Sequence, residues 1–559
     1  MTSQIEQHVP SLNTSITGEI EEGIACFRGI PYATLDKRWT HSQTKHSLDS
    51  SFDATKYGPR CPQGEGQVLV TGGVNDPIPG DDEFKCLNLN VAVPQEALRI
   101  RSSLPVMVWI HGYAFQSLIF VFNLFSIIHD LKKYFHFEGI TYSFNSGAFN
   151  YGANSVARYR PVQLSLHAKA QGHPVIIVQI QYRLGPLGFA ASNDIRSEQA
   201  PLLSSNPSAG PNPNFSLGNF GFVDQIHALE WVRDHIHDFG GDATNVTAFG
   251  VSAGSASIHH HILTGSPLFD RAILMSGSAP TLGPLPLELY EQAWQNFLVR
   301  SGKFEHLKTP EERLEKARAL SPLQLIRSYT SAPMSPVADG VLLPRSWQYN
   351  ETQKSTRCKE IIIGDTKIEA IIMDGLINSI PQTKLIELAY ASMKDGQGFL
   401  NAFGIVSNME QAAYRDAMRC FLSVGMFQYP NILVAKSFPG KVYFYHFDEP
   451  SPYPGPTLGL PYHGQCALFV FQNGNVEYPS SARTTAENMG KIWTTFACGN
   501  SIPWEEYKIA NRFMRLGPNG EFSLQSLETD RVREYKWLEW LNENYESLKQ
   551  FTRDLTIKL

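Results

Sequence analysis

The segment Val246–Leu263 constrains the fold more than any other stretch of the chain. A β-branched and aromatic run, Val246–Phe249, leads into Gly250, Val251, Ser252, Ala253 and Gly254, a G-x-S-x-G turn, and then into a helix-compatible run, Ser255–Leu263. A strand that becomes a helix within five residues forces the middle residue into a strained backbone, and flanking glycines remove the side chains that would obstruct it. That strand, tight turn and helix are the context of a nucleophile elbow, in which the Ser252 hydroxyl stands clear of the chain. An ordinary serine in a tight turn is the bland alternative.

Other short apolar runs read as buried strands: Val106–Ile110, Val175–Tyr182, Ala272–Met275, Ile361–Ile363 and Val442–Tyr445. Ahead of the elbow, Asp224–Phe239 sets Ile226, Leu229, Val232, Ile236 and Phe239 at helical spacing, opened by an aspartate and closed by Gly240 and Gly241. Strand, helix and strand in alternation predict an α/β fold with a large, mostly parallel twisted sheet flanked by helices. Chemistry in such sheets lies beyond the carboxyl ends of the strands. No internal repeat or long linker breaks the chain, and the Pro-, Asn- and Ser-rich stretch Ser204–Ser216 reads as a surface loop, so residues 1–559 are expected to form a single domain.

Collinear segments then carry a family resemblance. They are FRGIPYA (Phe27–Ala33), CLNLNV (Cys86–Val91), PVMVWIHG (Pro105–Gly112), QYRLGPLGF (Gln181–Phe189), the long run Gly218–Ser255, LFDRAILMSGS (Leu268–Ser278), PVADGVLLP (Pro336–Pro344) and IWTTFACGN (Ile492–Asn500). Over roughly Gly18 to Tyr507 the chain resembles the type-B carboxylesterases, the family of the cholinesterases and of many fungal esterases and lipases. The resemblance implies an α/β-hydrolase fold and serine-dependent hydrolysis of carboxylic esters, with no organic cofactor and no metal.

A serine hydroxyl needs a histidine to take its proton and a carboxylate to hold that histidine, and in this fold they follow in the order serine, acid, histidine. The resemblance puts the acid on Glu369 in IIIGDTKIEAIIM, with Asp365 as local competitor and a solvated surface role as the bland reading of Glu369. It puts the base on His463 in GLPYHGQCALFVF; His446 and His173 are less well placed. Oxyanion donors are implied at the N–H groups of Ala253, Tyr113 and Ala114, although the family usually has three consecutive glycines where this chain reads Gly112, Tyr113 and Ala114. Cys61 and Cys86 occupy the positions of the family's N-terminal disulfide. The triplet His259–His261 does not suit a metal, since adjacent helical residues point apart and ligands need i, i+3 or i+4 spacing.

The resemblance breaks after Phe115 and resumes near Asn145. The intervening insert, about 116–144, is rich in Phe and Ile and lacks turn chemistry. It reads as a retained intron or gene-model error, with an apolar lid as the alternative.

Composition excludes several classes. Formal charge is −6, and Lys and Arg are scattered, so no footprint for a nucleic-acid partner exists. The longest apolar stretch, Ser117–Ile128, is interrupted by Asn123 and falls short of the roughly 20 residues of a membrane span. Met1–Asn13 carries no basic start and apolar centre of an export signal, so the chain as written is expected to be cytoplasmic, with secretion open if a segment precedes it. Each of the seven cysteines is expected to be a small buried hydrophobe. The expected partner is a small-molecule ester. A lipase acting on water-insoluble esters and a catalytically inactive recognition protein of the same fold are the alternatives.

Overall fold

Four of the expected strands lie side by side in one row. Val251 pairs with Met275, Met275 with Gly364, and Gly364 with Tyr445, all in parallel register. The computed structural model describes residues 3–64, 79–100, 102–112, 149–204, 216–302, 304–329, 335–344, 357–474, 478–533 and 535–558. Tyr113, Ala114 and the insert at about 116–144 lie outside these residues, as does most of the loop Ser204–Ser216.

The chain packs as two units. The first comprises Met1–Val246, Gly283–Gln348 and Pro454–Pro456, and the second Thr247–Leu282, Tyr349–Tyr453 and Thr457–Leu559. In the first unit the strands run in the order Ser3–Val9, Thr14–Glu21, Ile24–Pro31, Asn88–Pro94, Ile176–Ile180 and Leu104–Ile110. All neighbours but the last pair are antiparallel. The parallel pair Leu104–Ile110 and Ile176–Ile180 was expected from its apolar runs, which only Gln179 interrupts, since strands covered on both faces need no alternation. Thr14–Glu21 alternates buried and half-buried positions, whereas Ile24–Pro31 is buried along most of its length; these two and Ser3–Val9 were not among the expected strands.

The helix expected from Asp224 begins earlier, at Phe220, and runs to His235 before a 3-10 turn, Ile236–Phe239, that Gly240 closes with a left-handed φ of 79°. Asp224 is therefore not a cap. It sits fully buried inside the helix, where its two carboxylate oxygens accept from Nε and Nη2 of Arg183, each at 2.7 Å.

The second unit holds the parallel series Gly241–Val251 (from Thr247), Arg271–Met275, Glu360–Thr366, Lys441–Phe447 and Phe513–Leu516, closed by the antiparallel strand Phe522–Gln525. Aromatic side chains weld helices to this sheet. Phe471 of the helix Gln465–Phe471 stacks on Phe249 at 5.7 Å, Phe469 meets Phe447 edge-on at 5.3 Å, and Trp493 of the helix Ser480–Ala497 meets Tyr445 at 5.3 Å. Each such buried ring contributes roughly 1.5–3 kcal/mol by leaving water. These contacts fix the strand ends from which the site is built.

Two cysteine expectations change. Cys420 is exposed and Cys498 half-buried, whereas the other five are buried. Cys61 and Cys86 are free thiols in the structure, so the disulfide implied by the resemblance is not shown. The hydrogen bond from Cys86 to Cys61, and then burial, push the Cys86 thiol well above its ordinary value, while Cys61 Sγ accepts from Leu184 N at 3.2 Å. Both sulfurs are thus satisfied as thiols.

Candidate active site

Ser252 follows directly on Val251 at the end of its strand and precedes the helix Ala253–Leu263. Its φ of 58° and ψ of −121° are those of a strained turn that a side chain other than glycine's rarely adopts. The strain is held by neighbours: Ser252 N donates to Met275 O at 2.9 Å, and its own carbonyl accepts from Ala256 N at 2.9 Å. Gly277 lies so close that a Cβ there would stand 2.5 Å from Ser252 O. Ser252 is 5% exposed. Ala253 is the first residue of the helix, so its N–H has no acceptor within the helix and the macrodipole adds positive charge there.

Glu369 lies three residues beyond the strand Glu360–Thr366, at the start of a 3-10 turn, Glu369–Met373. It is fully buried, which overturns the solvated surface reading. Its Oε1 accepts from Thr366 N at 2.6 Å and its Oε2 lies 2.5 Å from His463 Nδ1. The loop carrying Glu369 and the loop carrying His463 are sutured by Ile368 N donating to Pro461 O at 3.0 Å and by a bridge between Ile368 and Tyr462. His463 then enters its helix through Gly464, whose φ of 82° turns the chain sharply.

This arrangement fixes the imidazole. A carboxylate accepts only, so Nδ1 carries the proton and Nε2 of the neutral ring is an acceptor. His463 Nε2 is buried and has no hydrogen-bond partner among the described residues. It is therefore free to take a proton.

The competitor residues have other work. Asp365 pairs across the sheet with His446, whose Nδ1 lies 2.7 Å from its Oδ1, and it also receives Nη1 of Arg533. Burial would raise the Asp365 carboxyl, but His446 and Arg533 outweigh it and hold it below the usual range. His259, His260 and His261 are all buried. His259 Nδ1 accepts from Ala279 N at 3.0 Å, and His260 Nε2 lies 2.8 Å from Leu282 O. No cluster of three metal-ligating side chains occurs among the described residues.

Of the residues singled out in the sequence, Glu369 and His463 are brought into contact and Ser252 and Ala253 form the elbow of the same unit. Tyr113 and Ala114 lie outside the described residues; the strand end before them is fixed by Tyr182, whose hydroxyl donates to His111 O at 2.7 Å. Sequence reasoning missed Ser423 and Gln428, which hold the backbone around Glu369. Ser423 Oγ accepts from Ala370 N at 2.9 Å, and Gln428 Nε2 donates to Lys367 O at 3.1 Å. No local pattern marks either residue.

An elbow serine and a buried carboxylate–imidazole pair at the carboxyl ends of parallel strands define an α/β-hydrolase. The carboxylesterase family matches residues 8–118 and 142–534, and the chain belongs to that family and with it to the carboxylic ester hydrolases. The chain is 26% identical over 537 residues to the para-nitrobenzyl esterase of Bacillus subtilis (strain 168), a match covering 92% of this chain and 94% of that one. It is 31% identical over 283 residues to lipase 1 of Yarrowia lipolytica (strain CLIB 122 / E 150), covering 49% of this chain and 46% of the lipase. Among solved structures, a thermophilic para-nitrobenzyl esterase is similar in fold, with a TM-score of 0.68 at 23% identity over 95% of this chain and all of that one (100%).

Proposed function

We propose that the chain hydrolyses carboxylic esters of small molecules through an acyl-enzyme, with Ser252 as nucleophile, His463 as proton carrier and Glu369 as the carboxylate that orients it. The observation that carries this reading is the buried 2.5 Å contact between His463 Nδ1 and Glu369 Oε2, which leaves Nε2 as the proton acceptor. Ser252 Oγ attacks the ester carbonyl as Nε2 takes its proton. The tetrahedral oxyanion is held by the N–H of Ala253, and the resemblance assigns the same part to those of Tyr113 and Ala114. His463 then returns the proton to the departing alcohol, and water releases the acid by the same sequence. Each oxyanion donor supplies roughly 3–4 kcal/mol to such a step.

Residues 1–559 are read as one catalytic domain, which the family match from residue 8 to 534 supports, and 116–144 as an insertion, which the interruption of that match between 118 and 142 supports. A second reading, action on water-insoluble esters, is favoured by the 31% identity to a lipase. A series of p-nitrophenyl esters of increasing acyl length separates the two.

The test is labelling by a fluorophosphonate, which reports an activated serine without assuming a substrate. Full-length protein, protein lacking 116–144, and Ser252→Ala in each form are compared. Labelling that vanishes in Ser252→Ala is the expected result; folded protein that does not label in either form would overturn the proposal in favour of the inactive relative.

A further inference from the structure

The loop that carries Glu369 is gripped by one irregular turn of helix. The helices Gln411–Ser423 and Tyr429–Ser437 are joined without a break by a π-helical turn, Val424–Gln428. A π turn strains its hydrogen bonds, and where one persists it is frequently at a functional site. Here its geometric effect is specific. In a regular helix, at about 100° per residue, Gln428 would point roughly 140° away from Ser423. A turn bonded from i to i+5 brings the two onto one face.

That face meets the acid loop at successive points. Ser423 Oγ accepts from Ala370 N, the peptide directly after Glu369, at 2.9 Å. Gln428 Nε2 donates to Thr366 O at 3.3 Å and Lys367 O at 3.1 Å, the peptides just before it. Between them Phe427 lays its ring 5.0 Å from the imidazole of His463. One turn further on, Asn431 Nδ2 donates to Gly364 O at 3.0 Å. Ser423 and Gln428 are 1% and 5% exposed, so their side-chain ends of these bonds are shielded from bulk water.

We infer that Ser423 and Gln428 are positioning residues, and that the π turn exists to hold both ends of the Glu369 loop so that its carboxylate meets His463 Nδ1. The inference rests on Glu369 being the triad acid. Glu369 lies three residues beyond its strand end, where the strand no longer fixes it, and misplacement of a catalytic group by about 1 Å can cost roughly 100-fold. Bonds to the peptides on both sides of Glu369 remove that freedom.

Gln428→Met keeps the length and loses both donors; Ser423→Ala loses the acceptor and Ser423→Thr restores it. Each full-length variant is assayed with p-nitrophenyl butyrate, with active sites counted by fluorophosphonate titration and Glu369→Gln as reference. The expected result is a kcat per active site lowered about 10- to 100-fold in Gln428→Met and Ser423→Ala, with KM within about twofold and recovery in Ser423→Thr. Unchanged kcat per active site, with fewer titratable sites or a lower Tm, would reduce both residues to structural supports and overturn the inference. Should Gln428→Met fail to fold, the Ser423 pair decides alone. Wild-type turnover in Glu369→Gln would instead sink the triad assignment itself.

Discussion

His463 Nδ1 and Glu369 Oε2 stand 2.5 Å apart with both side chains fully buried. Burial makes the contact decisive, because no solvent can replace the carboxylate in fixing the tautomer or stabilising the imidazolium. Glu369→Gln keeps the shape but can offer an amide N–H to Nδ1, which moves the proton to Nε2 and removes the base. Turnover of a p-nitrophenyl ester should fall by about 10³- to 10⁴-fold with little change in KM. Steady-state kinetics on titrated enzyme check this, and a loss under tenfold would mean that another carboxylate serves.

Gly277 is the second determinant of the elbow. A methyl group there would stand 2.5 Å from Ser252 O and 3.1 Å from Ser252 Cα, both backbone atoms that cannot swing aside. Gly277→Ala should therefore cost about 1–3 kcal/mol in urea unfolding. It should also lower kcat about 100-fold, because the strand–turn–helix moves with the nucleophile. A stable Gly277→Ala enzyme with full turnover would show that the elbow tolerates displacement.

Arg533 ties Asp365 and Asp448 together. Its Nε and Nη2 reach Asp448 Oδ1 at 2.9 and 2.8 Å, its Nη1 reaches Asp365, and all three side chains are buried. Arg533→Met leaves the buried Asp448 carboxylate without its ion-pair partner and Asp365 with His446 alone, at a cost of about 3–5 kcal/mol. The sign with pH follows from Asp365, whose carboxyl is held below its ordinary 3.8 in the folded state. Its contribution is present above that value and is lost as pH falls below it. Urea titrations of the wild type and Arg533→Met should converge at acid pH; a gap that stays constant would remove Asp365 from the account.

Ser252 was legible because its chemistry and its local fold are written in the same five residues. Glu369 was not legible locally: IIIGDTKIE offers two carboxylates, and only the family resemblance chose between them. The structure shows why both exist. Asp365 is still on the strand and pairs with His446 in register, whereas Glu369 lies past the strand end, where a loop can turn it toward His463. Asp224 misled for a related reason, since an acid at a helix start and an acid buried against Arg183 look alike in sequence. The π turn Val424–Gln428 has no sequence signal, because it is selected by contacts with residues some sixty positions earlier.

Cys61 and Cys86 give a chemical count. Protein unfolded in urea without reductant should titrate seven thiols with Ellman's reagent, since all seven cysteines are free. Two fewer, restored by prior reduction, would show that the implied bridge forms in solution.

Buried histidines weaken the fold as the pH falls. Burial pushes His259 down to about 3, His260 to about 4 and His261 to about 3, from an ordinary value of 6.5. Burial likewise lowers His41 to about 4 and His111 to about 3. A histidine whose folded value is depressed contributes its full stability above the unfolded value, near 6.5, and loses it as pH falls toward the folded value. Unfolding below about pH 6 therefore takes up protons, and each histidine adds a slope approaching 1.4 kcal/mol per pH unit. Urea unfolding at intervals from pH 7.5 to 4.5 should show a plateau and then a decline. His261→Leu should make that decline shallower by about one proton. An equal slope in the variant would mean that His261 is already protonated in the folded enzyme and that the apolar surroundings of the elbow helix are wetter than its burial implies.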